Sequence, residues 1–318
     1  MGGDTMERIL FEYRYWNRTV LSQELDLTAA QKDSVLDAIR TNARPENVQY
    51  LYDDFRNNCS TRIRDIIDHA LGGQLLAAAS RVPGTTYRWH ALRLMQGSFW
   101  TMLGVDVALG RPADRPISAW EEMFLPRKVH DYFATVRLES PTGPRPLVRS
   151  ERVLFEANRG PEPTAPPQLG VKLLIAGCAF AIVVFWLAMA ATKQSPWIRG
   201  VTATLLGLWA LVAGLLGVVL SLLWSVTNHV IAHGNENLLL FNPLWLVLAV
   251  LLPMFVWSGK AARPTRVVCA IVVTTSVMAL VSHLVGLSAQ ANLPIIALTL
   301  PPALAVAAIV ARNPRPRA

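Results

Sequence analysis

Five long apolar stretches in the second half of the chain constrain its fold more than any other feature of the sequence. They run near residues 170–191, 200–226, 238–258, 266–288 and 293–311. Each has roughly the 20 residues that an α-helix needs to cross about 30 Å of hydrocarbon. The fifth contains Pro301-Pro302, which removes backbone donors and predicts a kink or a re-entrant break, whereas the first four are predicted to span. The pattern indicates a helical bundle of about five spans.

The charge of the chain follows this division. Of the 30 Lys and Arg residues, nine lie after residue 169, where Glu236 is the one acidic residue. The first half carries equal numbers of basic and acidic side chains, so the net charge of +8 belongs to the membrane half. A nucleic-acid-binding protein would place its basic excess on the soluble domain. We therefore exclude nucleic acid as a partner.

Basic residues mark alternate loops between the apolar stretches. They are Lys193 and Arg199 after the first stretch, Lys260, Arg263 and Arg266 after the third, and Arg312, Arg315 and Arg317 after the fifth. The loops 227–237 and 289–292 have neither Lys nor Arg. Because Lys and Arg accumulate on the cytoplasmic side, the tail 312–318 is predicted to be cytoplasmic and residues 1–169 extracytoplasmic.

Export of so large a domain needs a signal, and the opening segment MGGDTMERIL has no apolar region that would serve as one. Two alternatives follow. Either an export segment precedes this chain, which is the alternative we favour, or the first span itself translocates the N-terminus.

The first half of the chain is predicted to be mainly α-helical. Thr28 is an N-cap-like residue before a short amphipathic helix over 28–42, and Asn58 is a good N-cap for a helix from Cys59 to the Gly72-Gly73 stop. Seven prolines then mark 140–169 as a linker. We predict a cysteine domain over 1–139, this linker, a transmembrane domain over 170–311 and the basic tail.

Cys59 is the candidate nucleophile, because the first turn of a helix favours a thiolate and papain-type nucleophiles occupy the same place. The alternative is a small residue packed at a helix start. A nucleophile needs a base, and the histidines of this half do not supply one that can be named. His69 lies about 15 Å further along the same helix, and His90 and His130 are expected to have packing or surface roles.

The loop between the second and third spans is rich in polar side chains: His229, His233, Asn235, Glu236, Asn237 and Asn242. Two histidines four residues apart suit a metal site, but a fourth ligand is missing and we predict no metal. We expect instead a polar cap that helps to form a substrate pocket on the same side as Cys59. A solvated loop whose amides cap helix ends is the alternative, as is a histidine acting as the base for Cys59.

Several segments together resemble the family defined by the N-terminal periplasmic domain of the lipoprotein N-acyltransferase Lnb. They are YRYWNRTVLSQELDLTAAQ, PENVQYLYDDFRNNCSTRIRDIIDHALGG and GRPADRPISAWEEMFLP, with NNCSTRIRD as the most specific part. The loop TNHVIAHGNENLLLFNPLWLVL is similar to the His/Asn-rich periplasmic loop of many members.

The resemblance implies a partial permuted papain-like acyltransferase fold in the bacterial inner membrane. Cys59 would take an acyl group from a phospholipid as a thioester and pass it to the amine of a lipoprotein N-terminus, with membrane lipids and lipoproteins as partners and no cofactor. In such folds the histidine precedes the cysteine helix, so we expect the general base upstream of this chain. Asn58, Arg62 and Arg64 are conjectured to bind substrate or oxyanion charge. A cysteine hydrolase or a non-catalytic membrane-anchored binding protein are the alternatives.

Overall fold

The structure is a computed structural model that describes residues 4–141, 143–191, 195–259 and 261–312. Four basic residues used in the orientation argument, Lys193, Lys260, Arg315 and Arg317, lie outside these described residues, as does most of the tail.

The described chain before residue 164 is mainly helical, with four short strands. The helices are α1 (Met6–Tyr15), α2 (Ala29–Asn42), α3 (Cys59–Ala70), α4 (Gln74–Ala78), α5 (Tyr87–Leu94), α6 (Phe99–Ala108), α7 (Ala119–Glu122) and α8 (Pro126–Thr135). The strands are β1 (Val20–Leu25), β2 (Arg137–Leu138), β3 (Arg145–Pro146) and β4 (Val148–Phe155). A short 3-10 turn covers Arg111–Ala113.

Five apolar helices follow: α9 (Gly170–Ala191), α10 (Pro196–Ser225), α11 (Trp245–Ser258), α12 (Ala262–Leu284) and α13 (Leu293–Ala311). Four of them, all except α11, are long and apolar enough to cross a membrane. The mainly α fold class with a helical membrane bundle is thus confirmed. Two details differ from the prediction. Helix α13 runs unbroken through Pro301 and Pro302, where a kink or break was expected. Helix α11, which was expected to span, has only 14 residues.

The chain divides into two compact units, each made of two separate segments. The first unit contains the chain up to Tyr87 together with Pro116–Pro163. The second contains Arg88–Arg115 together with the chain from Thr164 onward. The segment 88–115 is therefore part of the membrane unit although it precedes the first span by more than fifty residues. The four domain boundaries read from the sequence stay a prediction.

The first unit is built around the amphipathic faces of α3 and α8. Ile67 of α3, Leu71 just after it and Leu75 of α4 pack with Tyr132 and Phe133 of α8. Strand β4 pairs antiparallel with β1, from Val20 opposite Phe155 to Leu25 opposite Val148. The second strand of this pair lies within 140–169, so part of the predicted linker is ordered sheet.

In the second unit, α9 packs against α13, α10 against α11, and α12 against α13. Small residues permit the close approaches. A Cβ added at Gly177 of α9 would lie 2.5 Å from the carbonyl oxygen of Leu298 in α13. Glycine at such a position lets two helix backbones touch, which is how transmembrane helices gain packing energy without a hydrophobic driving force between them.

A buried guanidinium organises the segment 88–115. Arg88 binds both carboxylate oxygens of Asp114 at 2.8 and 3.0 Å, Asp106 Oδ1 at 2.5 Å and the carbonyl oxygen of Leu109 at 2.7 Å. Burial raises the pKa of Asp106, and the charge of Arg88 offsets only part of this effect. These bonds join α5, α6 and the 3-10 turn into one block.

Candidate functional site

Cys59 is the first residue of α3, and its side chain is exposed. The helix begins here because Asn58 is an N-cap in extended conformation and Thr61, three residues later, completes a capping box. The predicted helix start is confirmed, and the alternative of a buried residue at this position does not hold.

The side chain of Asn58 uses all its hydrogen-bonding groups locally. Its Oδ1 accepts from the backbone N–H groups of Ser60 and Thr61 at 2.9 and 3.0 Å. Its amide donates to the carbonyl oxygens of Asp54 and Phe124 at 2.7 and 2.9 Å. Asn58 therefore holds the cysteine turn in place and ties it to the end of α7.

The backbone N–H of Cys59 differs from the next two in the helix because the Asn58 side chain does not accept a hydrogen bond from it. Asn58 Oδ1 occupies the second and third amides of the helix, whereas the N–H of Cys59 has no hydrogen-bond partner within the described part of the chain. It is one of the orphan donors that a helix start presents. Such a donor beside a nucleophilic sulfur suits an oxyanion formed by attack of that sulfur.

Tyr52 lies close enough to Cys59 for the two to interact electrostatically. Partial burial, followed by the negative charge of a Cys59 thiolate, raises the pKa of Tyr52. Its ring is half-exposed at 51%. The raised pKa keeps the Tyr52 hydroxyl protonated at neutral pH.

Both arginines of the candidate site are held by neighbours in the first unit. Arg62 donates to Asn57 and Asn42 at 3.1 Å each, and its guanidinium carbon lies 4.1 Å from the centroid of the Tyr50 ring. Its stacking on a ring is typical of arginine.

Arg64 is buried, at 7% exposure. It pairs with Asp65 at 2.7 Å, donates to the Trp120 carbonyl at 2.9 Å and stacks over the Trp120 ring at 3.9 Å. Arg64 also lines a hollow of about 630 Å³ whose other walls include Phe55, Tyr87 and Trp120. The oxyanion and substrate roles conjectured for Asn58, Arg62 and Arg64 stay predictions.

No histidine in the described part of the first unit forms a hydrogen bond with Cys59. His69 lies in the last turn of the same helix. His130 lies between Asp131 at 3.1 Å and Glu151 at 3.2 Å. His90, in the second unit, is fully buried and accepts from Arg93 at 3.2 Å.

The His/Asn-rich loop forms a second polar site, inside the second unit. Asn235 and Asn237 are buried, and both donate to the carbonyl oxygen of Val107 in α6, at 2.8 and 2.9 Å. Asn242 Oδ1 accepts from the N–H of Leu244 at 3.0 Å and caps the approach to α11. The amides of Asn235 and Asn237 therefore bind the end of α6, and the role of this loop in a substrate pocket stays a prediction.

The two loop histidines do not share a helix face. His229 and His233 flank a three-residue 3-10 turn, Val230–Ala232. His233 Nε2 lies 3.1 Å from the carbonyl oxygen of Thr227, and His229 is exposed. Among the described residues, no three His, Cys, Asp or Glu side chains come together as metal ligands.

Four members of this polar site were missed in the sequence: Arg111, Ser288, Gln290 and Asn292. Glu236 accepts from Arg111 at 2.6 Å and from Ser288. Burial alone would raise the pKa of Glu236, but these hydrogen bonds and the charge of Arg111 outweigh it and lower the pKa. The signal in the sequence was the short polar run SAQAN between the last two spans.

Asn292 joins the two loops directly. Its amide donates to Asn237 Oδ1 at 2.7 Å, while Gln290 donates to Asn235 Oδ1 and to the Leu109 carbonyl at 3.1 Å each. His283 Nε2 lies 2.6 Å from Asn292 Oδ1. Because a buried polar network is stable only when its members are satisfied, these contacts fix the two loops and the end of α6 as one body.

Comparison with protein families gives two matches. Residues 4–93 match the model described as the Lnb N-terminal periplasmic domain, and residues 170–312 match the one described as the Lnb transmembrane domain. No curated protein and no solved structure matches the chain.

Proposed function

Because the chain belongs to the Lnb family of membrane proteins with a periplasmic N-terminal domain and a transmembrane domain, we propose that it is a cysteine-dependent acyltransferase acting on lipoproteins. Cys59 is the nucleophile, a membrane phospholipid is the acyl donor, and the amine at a lipoprotein N-terminus is the acceptor. The observation that carries this proposal is the exposed Cys59 sulfur at the start of α3, beside its own unpaired backbone N–H.

The chemistry proceeds in two transfers. In the first, the Cys59 thiolate attacks the ester carbonyl carbon of the phospholipid, the C–O bond breaks, and the lysophospholipid oxygen leaves and takes up a proton. In the second, the lipoprotein amine attacks the thioester, an amide forms, and the sulfur leaves while the amine loses a proton. Each step passes through a tetrahedral oxyanion, to which the backbone N–H of Cys59 donates.

The location of the substrates supports this reading. Both the phospholipid and a lipidated N-terminus are embedded in the outer leaflet of the inner membrane, and the cysteine domain belongs to a periplasmic family. A nucleophile carried above that leaflet meets both substrates without extracting them. Membrane lipids and lipoproteins are the proposed partners.

We also propose that the C-terminus is cytoplasmic. Asn235 and Gln290 belong to different loops, yet both bind the C-terminal end of α6, and Asn292 donates to Asn237 across the loops. The two loops therefore lie on one side of the bilayer, so α11 and α12 must cross and return. Helix α13 then ends on the opposite side, although α11 is only about 21 Å long at 1.5 Å per residue. Because the two loops lack Lys and Arg, we assign them to the periplasm and the end of α13 to the cytoplasm.

Mass spectrometry of lipoprotein N-termini tests the acyl-transfer proposal. Cells that depend on this protein would carry the wild type, Cys59→Ala, or the matched control Cys178→Ala in α9. We expect N-acylated lipoproteins with the wild type and with Cys178→Ala, and diacylated lipoproteins with a free amine in Cys59→Ala. Cells in which Cys59→Ala restores full acylation would reject cysteine catalysis.

The same set of cells, with free fatty acid measured as well, separates the alternatives. Release of free fatty acid that depends on Cys59, without acylation of lipoproteins, would identify a hydrolase. An unchanged acylation state in cells lacking the protein altogether would reject the lipoprotein as the acceptor.

A further inference from the structure

Helix α6 is held at both ends by residues next to the membrane spans. At its N-terminal side, Gln96 donates to the carbonyl oxygen of Ala165 at 2.7 Å, and Ala165 lies five residues before the start of α9. At its C-terminal side, Val107 and Leu109 accept hydrogen bonds from Asn235 and Gln290. Five residues of extended chain reach at most about 18 Å, so both ends of α6 lie close to the ends of spans.

The inward face of α6 belongs to the membrane unit. Val107 is part of the hydrophobic core that α9 to α13 share, and Leu103 packs against it. Met102 and Asp106 are buried as well, with Asp106 paired to Arg88. This face fixes the rotation of the helix about its own axis.

The outward face of α6 is apolar and exposed. Trp100 is 79% exposed and Phe99 41%, and the neighbouring Thr101 and Gly104 are exposed too. The helix has no Lys or Arg, and its single carboxylate, Asp106, points into the unit. An exposed tryptophan beside a phenylalanine on an uncharged face is costly in water.

We propose that this outward face, centred on Trp100, rests in the interfacial layer of the periplasmic leaflet, with phospholipid as its partner. Tryptophan is enriched at this depth because its ring is apolar while its N–H still reaches water or headgroups. The first turns of α9, which follow Ala165, also carry exposed apolar side chains, since Val171 and Ile175 are 71% and 63% exposed. In this proposal, α6 lies parallel to the membrane surface and does not span the bilayer.

Depth-dependent quenching tests this placement. The full chain, with its three cysteines replaced by serine, would carry Trp100→Cys labelled with an environment-sensitive fluorophore in phosphatidylcholine vesicles. We expect a lipid with its quencher near the headgroup to remove more emission than one with its quencher deep in the acyl chain. The matched control is Val183→Cys in the middle of α9, where the order of the two quenchers should reverse.

Two results would overturn the proposal. One is a label at position 100 that neither lipid quenches but aqueous iodide does. The other is a label at position 100 that becomes protected from iodide only when a second copy of the chain or another protein is added. A measurement on the unaltered chain guards against misfolding of the variant: a photoactivatable phosphatidylcholine should attach to the peptide containing Phe99 and Trp100, and its absence there, with attachment at α9, contradicts the placement.

Discussion

At the scale of single residues, a buried hydrogen bond to a carboxylate makes the first unit sensitive to alkali. Tyr132 donates to Glu122, which is fully buried and also accepts from Thr85 at 2.6 Å and pairs with Lys128 at 3.1 Å. Burial, together with this hydrogen bond and the carboxylate's charge, raises the pKa of Tyr132 above its ordinary value of 10.0. The folded protein therefore keeps a proton that the unfolded chain loses first.

The sign of the pH effect follows directly. A tyrosine whose pKa is raised by folding contributes stability that is fully present below pH 10 and is lost as the pH rises through the folded value. The free energy of unfolding should fall by up to about 1.4 kcal/mol per pH unit above pH 10 from this group. We expect Tyr132→Phe to remove that part of the alkaline loss, measured as the thermal midpoint of the full chain in detergent between pH 9 and 11.

Tyr15→Phe is the matched control, because Tyr15 is 75% exposed and should leave the alkaline slope unchanged. An equal slope in Tyr132→Phe and in the wild type would show that another group dominates the alkaline transition.

Asn58 and Arg64 differ in how many of their contacts could be predicted from the sequence. The Asn58 cap could be predicted because it depends on four consecutive residues, Asn58 to Thr61. The contacts of Arg64 could not, since its partner Trp120 lies 56 positions away and only the packing of α3 against α7 brings them together. Interactions between neighbours in the sequence could be predicted, whereas contacts between residues far apart in the sequence could not.

At the scale of secondary-structure elements, the long helices were predicted from apolar periodicity and caps, and the strands were missed. Strand β4 lies in a stretch with several prolines, and its partner β1 is far away in sequence. Its sequence, VRSERVLF, does not alternate between apolar and polar residues, so no local pattern separates it from a loop. The sheet forms because two segments far apart in the sequence pair with each other. Such a pairing cannot be predicted from either segment alone.

The end of α6 offers a sharp element-scale test. Gly110 is buried, its N–H donates to the carbonyl oxygen of Ile231 at 2.9 Å, and an added Cβ would overlap the backbone of Ala232 and His233. We expect Gly110→Ala to push this loop away and to cost about 1–3 kcal/mol by overpacking. The thermal midpoint of the full chain in detergent measures the loss.

Gly104→Ala serves as the control within the same helix. Its Cβ would meet open space, and alanine in a helix interior is favoured over glycine by about 0.5–1 kcal/mol. The two substitutions should therefore shift the midpoint in opposite directions. A Gly110→Ala protein as stable as the Gly104→Ala protein would mean that the loop does not press on the end of α6.

At the scale of the whole molecule, the Lys and Arg bias predicts an orientation, and the hydrogen bonds between loops support one part of it by a separate route: the two loops without Lys and Arg lie together. The Lys and Arg bias uses loops that include residues outside the described part of the chain, such as Lys193 and Lys260. The polar site uses only described side chains, and it places the loops that lack Lys and Arg together on one side. Neither argument depends on the other.

This agreement predicts the accessibility of four positions in a membrane-impermeant maleimide assay on spheroplasts. In a chain with Cys59, Cys178 and Cys269 replaced by serine, Asn228→Cys and Ala289→Cys should be labelled in intact spheroplasts, since both residues are exposed and lie in the loops proposed to be periplasmic. Arg263→Cys and Arg312→Cys should be labelled only after the membrane is permeabilised. Because α11 has only 14 residues, position 263 is the decisive one. Labelling of Arg263→Cys from outside would mean that α11 turns back within the bilayer, and the proposed cytoplasmic C-terminus would then lose its structural support.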